Sequence, residues 1–145
     1  MTQIDFYTST EDKLQTACRL AAKAVQQGLR VLVFTPDAAA TDKLDRLLWT
    51  LPATGFLPHC RAGDKLAPAT PVILDHLPEP LVHDQVLVNL CPDWPPFFSR
   101  FQRLVEIVGP EESDRQAGRE RFRFYRDRGY EIRHHDLGTD PRGAA

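Results

Sequence analysis

The run Arg30–Phe34 (RVLVF) constrains the fold of this chain more than any other segment. It is apolar and β-branched without polar alternation, the pattern of a strand covered on both faces. The sequence on either side supplies the cover. Ahead of it, Ile4–Tyr7 alternates as a short strand, and Leu14, Ala17, Cys18, Ala21, Ala24 and Val25 recur at helical spacing. Ser9 and Asp12 suit a capping box at the start of that helix, and Gly28 sits where it should stop. Behind the run, Thr35-Pro36-Asp37 turns the chain, and Leu44, Leu47, Leu48 and Leu51 form the stripe of a second helix. This β-α-β-α order favours a parallel sheet with helices on its faces and right-handed crossovers.

The remainder continues the alternation with more punctuation. Residues 52–71 read as a loop, broken by Pro52, Gly55, Pro58, Gly63 and Pro68. Val72–Leu74 and Gln85–Asn89 are candidate strands joined by a proline-broken connection, and a short helical turn is expected near Phe97–Phe101. Arg103–Val108 reads as a strand, Gly109-Pro110 as a turn, Glu111–Gly129 as a helix and Glu131–Asp136 as the last strand. The expected fold is a single α/β domain over residues 1–137, its central sheet mostly parallel and flanked by helices, with a frayed tail at 138–145.

Composition narrows the function classes. With 145 residues, 42% of them hydrophobic and 26% charged, the chain can bury a real core. A net charge of −2 argues against a protein that coats nucleic acid with its whole surface, so any basic function must be local. Cys18, Cys60 and Cys91 lack a C-x-x-C spacing and suit a reducing cytoplasm. The first residues do not resemble a signal peptide, and no apolar run approaches the ~20 residues that span a bilayer. The expectation is a soluble cytoplasmic protein.

The usual chemistries find no support. The first strand–helix turn, Tyr7–Lys13, contains no glycine, so it matches neither dinucleotide- nor phosphate-binding fingerprints. Glu11 and Asp12 place negative charge where a bound anion would sit. His59, Cys60, Cys91 and the His134-His135 pair have no recognised zinc spacing. Neither a nucleophile elbow nor a persuasive carboxylate pair occurs. No catalytic site, cofactor or metal is expected.

Surface recognition is better represented. Glu111–Gly129 carries six arginines. At about 100° per residue, Arg115, Arg119, Phe122, Arg123 and Arg126 share one face, while Ala117, Phe124 and Tyr125 share the other, with Arg121 and Arg128 near its edge. One face can pack on a core. The other sets a ring among guanidinium groups, which suits a carboxylate- or phosphate-bearing ligand with an apolar part. The bland alternative is a solvated face neutralised by Glu111, Glu112, Asp114, Glu120 and Asp127. Trp49, Phe56 and Leu57 border a proline- and glycine-punctuated loop, where aromatics mark either an interface or the closing of the core. Trp94, Phe97 and Phe98 form a second group, expected to cover the neighbouring strand.

Several stretches, in order and over almost the whole chain, resemble the chi subunit family of bacterial DNA polymerase III. They are Ile4–Tyr7, the helix ending at Gly28 with Arg30–Val33, Asp45–Trp49, Phe56–His59, Pro71–Leu74, Arg119–Arg123, Tyr125-Arg126 and Gly129-Tyr130. The resemblance implies a Rossmann-like domain without a nucleotide site and without catalytic activity, belonging to the clamp-loader assembly, where it pairs with the psi subunit. It further implies binding of the acidic C-terminal tail of single-stranded DNA-binding protein, which ends in a phenylalanine carboxylate. On the same basis Arg119, Phe122 and Arg123 align with tail-binding residues, and Val108 and Arg115 lie at the pocket edge. Phe56, with Trp49 and Leu57, falls where the family meets psi and, in some bacteria, a helicase related to XPD. Arg123 and Phe122 stand where relatives often carry lysine and tyrosine, keeping charge and ring but losing a hydroxyl.

The function expected is a non-catalytic replication adaptor that needs neither direct nucleic-acid contact nor a membrane. The alternatives are a nucleotide-dependent enzyme on the same fold and a nucleic-acid binder acting through the arginine helix.

Overall fold

The computed structural model describes residues 1–50 and 57–138. The apolar run forms β2 (Val31–Phe34), which lies between β4 (Val72–Asp75) and β5 (Val86–Asn89) and runs parallel to both. With β1 (Gln3–Thr8), β3 (His59–Cys60), β6 (Arg103–Ile107) and β7 (Ile132–Asp136) they make a seven-stranded sheet in the order β3-β4-β2-β5-β6-β1-β7. Every described pairing is parallel. The helices are α1 (Lys13–Gln26), α2 (Ala38–Thr50) and α3 (Glu112–Asp127). This is the expected Rossmann-like α/β domain.

The sheet needs cover on both faces because its central strands are apolar on both. On one side Ala17, Cys18 and Ala21 of α1 and Leu44 and Leu48 of α2 bury Val31, Val33, Leu74, Val88 and Val105. The small residues of α1 let the helix sit close to the strands. On the other side Ile4, Phe6, Leu32, Leu87 and Leu104 meet Phe98, Phe101 and Tyr125. Strand register decides which side chain goes where. Asp5 and Tyr7 pair with Val105 and Ile107 and face α1, whereas Phe6 and Thr8 face α3.

Four expectations change. Asp12 alone caps α1, its carboxylate accepting from the Gln15 N–H at 3.1 Å, while Ser9 adopts φ 62° and takes no part in a capping box. The 52–71 stretch contains the short strand β3, which sequence could not reveal because two residues carry no periodicity. Of the second aromatic group, Phe98 is buried as expected, but Trp94 stays 38% exposed, stacked on Phe124 at 3.7 Å. Arg121, placed near the edge of the core-facing side, is fully buried. Leu51 and Phe56, and the tail from 139 onward, lie outside the described residues.

Candidate functional site

Helix α3 begins over the C-terminal ends of β6 and β1, and its two sides have opposite fates. Tyr125 and Arg121 point into the sheet at Glu106, which is buried near the C-terminal end of β6. Glu106 accepts from Arg121 Nε at 2.9 Å, from Tyr125 Oη at 2.6 Å and from Asn89 Nδ2 at 3.1 Å. Arg121 also donates to the Pro92 carbonyl at 2.7 Å. Burial pushes the Glu106 carboxyl up despite these donors, and burial together with Glu106 pushes the Tyr125 phenol up. The network fixes the rotation of α3 about its axis, because a buried carboxylate and guanidinium tolerate no other partners.

That rotation opens a cavity of about 460 Å³ on the helix's N-terminal half. Its apolar wall consists of Phe6, Val108, Gly118 and Phe122. Phe122 is half-buried and meets Phe6 edge-on, with ring centroids 5.4 Å apart. Arg115 and Arg119 stand on the rim from α3, and Thr8, Thr10 and His134 close the far side. His134 Nε2 and Thr8 Oγ1 are 2.7 Å apart, which joins β7 to β1 there. Gly118 is required by the close approach of helix and strand, since a Cβ on it would lie 2.7 Å from Val108 Cγ2. Asp114 holds the entrance to α3, accepting from the Gly109 N–H at 2.6 Å and pairing with Lys13 of α1 at 3.1 Å.

The rim arginines have surface partners. Glu112 takes Arg115 at 3.1 Å and Arg119 at 3.2 Å, all three side chains being more than half exposed. Pairs of this kind are held weakly and exchange readily for another carboxylate. The site can therefore offer two guanidinium groups above an apolar slot that admits one ring.

Of the residues singled out from sequence, Val108, Arg115, Arg119 and Phe122 come together on this cavity. Arg123 lies outside its lining and pairs with Glu120 at 3.2 Å on the open surface. Trp49 is 61% exposed at the end of α2, edge-on to His59, whereas Leu57 is buried in the core beneath α1 and α2. Phe56 lies outside the described residues. Sequence reasoning missed Phe6, Gly118, Thr8 and His134. A glycine inside a helical pattern was the one available signal, marking close approach. The other three reach the site only through strand pairing, which leaves no local trace.

Among the described residues no group of three or more His, Cys, Asp or Glu side chains could hold a metal, and no helix is long and apolar enough to cross a membrane. Burial pushes the Cys18 thiol up to about 12 and the Cys91 thiol to about 11, far from a ready thiolate.

Comparison with known proteins places the chain. The family model described as "DNA polymerase III chi subunit, HolC" matches residues 1–133. The DNA polymerase III subunit chi of Pseudomonas aeruginosa is 39% identical over 141 residues, covering 94% of this chain and 98% of that protein. Its counterpart in Escherichia coli K12 is 31% identical over 132 residues, covering 90% and 88%. That of Haemophilus influenzae is 28% identical over 138 residues, covering 92% and 96%. With a fold and a family match that run nearly its full length, the chain belongs to the DNA polymerase III chi subunit family, a family of the replication machinery.

Proposed function

We propose that this protein is a non-catalytic accessory subunit of the polymerase III clamp-loader assembly, joining the psi subunit to the C-terminal tail of single-stranded DNA-binding protein. The observation that carries the reading is the cavity between α3, β6 and β1, with an apolar slot beneath two arginines. The terminal phenylalanine ring of the tail enters the slot between Phe6, Val108 and Phe122. Its carboxylate and the preceding acidic side chains exchange with Glu112 for Arg115 and Arg119, forming charge-assisted hydrogen bonds. Arg123, a turn farther along the surface, serves residues of the tail that lie outside the slot. Recognition then requires both a terminal ring and a terminal carboxylate, and it weakens with salt.

The second contact uses the exposed Trp49, with Leu57 in the core behind that end of the helix, together with Phe56, which lies outside the described residues. This surface takes psi or, in some bacteria, an XPD-related helicase. Trp49 lies at the end of α2 and is not among the residues lining the cavity, so both partners can bind together. The test is a pull-down from purified components. Single-stranded DNA-binding protein should retain this chain, and the same protein lacking its last residues should not. Equal retention would contradict the tail reading.

A further inference from the structure

Parallel sheets are ordinarily covered on both faces, because their strands are apolar on both. Here α1 lies over β2, β5 and β6. The outer strand β7 keeps Arg133 51% and His135 39% exposed on that side. The residues that register brings together there are polar and cationic. Arg133 pairs with Asp5 across β7 and β1, His135 with Tyr7, and Arg103 with Gln3 across β6 and β1.

Asp5 organises the group. Its carboxylate is fully buried and accepts from Arg103 Nε at 2.8 Å and Arg133 Nε at 3.0 Å, with His135 Nε2 at 2.9 Å. Burial alone would raise the Asp5 carboxyl, but His135 and the two arginines outweigh it, so the group stays ionised. Both arginines are gripped by Nε; the terminal nitrogens of Arg133 meet the side chain of Gln3, and Arg103 also bonds the Tyr7 hydroxyl. His135 stacks on Tyr7 with centroids 4.4 Å apart and planes 12° apart. Lys23 of α1 lines the same depression as Tyr7 and Arg103. Two arginines thus share one carboxylate, with Lys23 beside Arg103 and a stacked pair of rings adjoining.

We infer that this β1–β7 face is a docking surface for the backbone of single-stranded nucleic acid, distinct from the arginine helix on the opposite side of the sheet. Arg103 and Arg133 stand on the strands flanking β1, offset by two residues in register and so about 12 Å apart at the backbone, and hold separate phosphates of one strand. The exposed face of His135, backed by Tyr7, receives a base by stacking, the combination that single-strand binders use. Charge complementarity selects the ligand. Phosphates match the cations and bases match the ring stack, so a nucleic-acid strand engages both halves of the surface.

The experiment is fluorescence anisotropy of the full chain with a labelled oligothymidylate. Two phosphate contacts predict about a sevenfold loss of affinity between about 50 and 200 mM salt. Arg133→Gln removes one contact and should cost about eightfold at 50 mM. Lys23→Glu, which leaves the Asp5 cluster intact, should weaken binding at least as much and keeps the test valid if the Arg133 variant misfolds. Arg126→Ala on α3 should leave oligonucleotide affinity unchanged, and Lys23→Glu should leave affinity for an acidic tail peptide unchanged. No binding by the wild type, an unaltered affinity of Lys23→Glu, or a loss confined to Arg126→Ala would overturn the inference.

Discussion

Gly118 and Val108 define the floor of the cavity: a Cβ on Gly118 would lie 2.7 Å from Val108 Cγ2, so the helix approaches the strand only because that position has no side chain. Alanine there gains up to about 1 kcal/mol of helix propensity but forces a shift that costs about 1–3 kcal/mol. Gly118→Ala should therefore destabilise modestly in urea titrations and narrow the slot, weakening tail-peptide binding. Adding Val108→Ala should relieve the clash. A Gly118→Ala protein as stable and as tightly binding as the wild type would show that the helix can move away freely.

Glu112 holds both rim arginines in the free protein. Exposed pairs of this kind are worth about 0.2–1 kcal/mol. Glu112→Gln should release Arg115 and Arg119 and raise affinity for the acidic tail by up to about fivefold, read by anisotropy at low salt. Weaker binding would mean that Glu112 preorganises the arginines rather than competing for them.

The buried pair Glu106–Arg121 sets the rotation of α3. Arg121→Met leaves a buried carboxylate without its cation and should cost about 3–5 kcal/mol in chemical denaturation. Glu106→Gln combined with Arg121→Met should recover much of that loss. If the double variant is no more stable than Arg121→Met, the network is not held together by the charge pair.

Asp5 gives an acid dependence whose sign can be assigned. Its folded pKa lies below the ordinary 3.8, so the stability it contributes is complete above the unfolded value. That contribution disappears as pH falls through the lowered folded value. Asp5→Asn should be less stable than wild type at neutral pH, and the difference should shrink below about pH 3.8. A constant difference down to the acid transition would contradict the assignment.

The alternating elements were legible because RVLVF is a continuous apolar, β-branched run and the alanine-rich and arginine helices each carry a helical period. Positions of Arg115, Arg119 and Phe122 on a shared face follow from helical geometry alone. What remained hidden depends on pairing between distant segments. Helical geometry puts Arg121 only near the edge of the core-facing side; its full burial is decided by Glu106, fifteen residues earlier on a strand. Likewise His134 and His135 look equivalent in sequence, yet strand alternation sends one to the cavity and the other to the opposite face. Ser9 resembled a cap by residue type, but the left-handed turn it occupies leaves that role to Asp12.

The central claim is that Arg119 recognises a terminal acidic tail beside an apolar slot. Its most direct test is the anisotropy of a labelled peptide, matching the tail of single-stranded DNA-binding protein, titrated with wild type and Arg119→Ala. Hydrogen bonds to charged groups are worth about 1.5–3 kcal/mol, so the variant should bind at least about tenfold more weakly while its thermal unfolding is unchanged. Equal affinity of the two proteins would contradict the account.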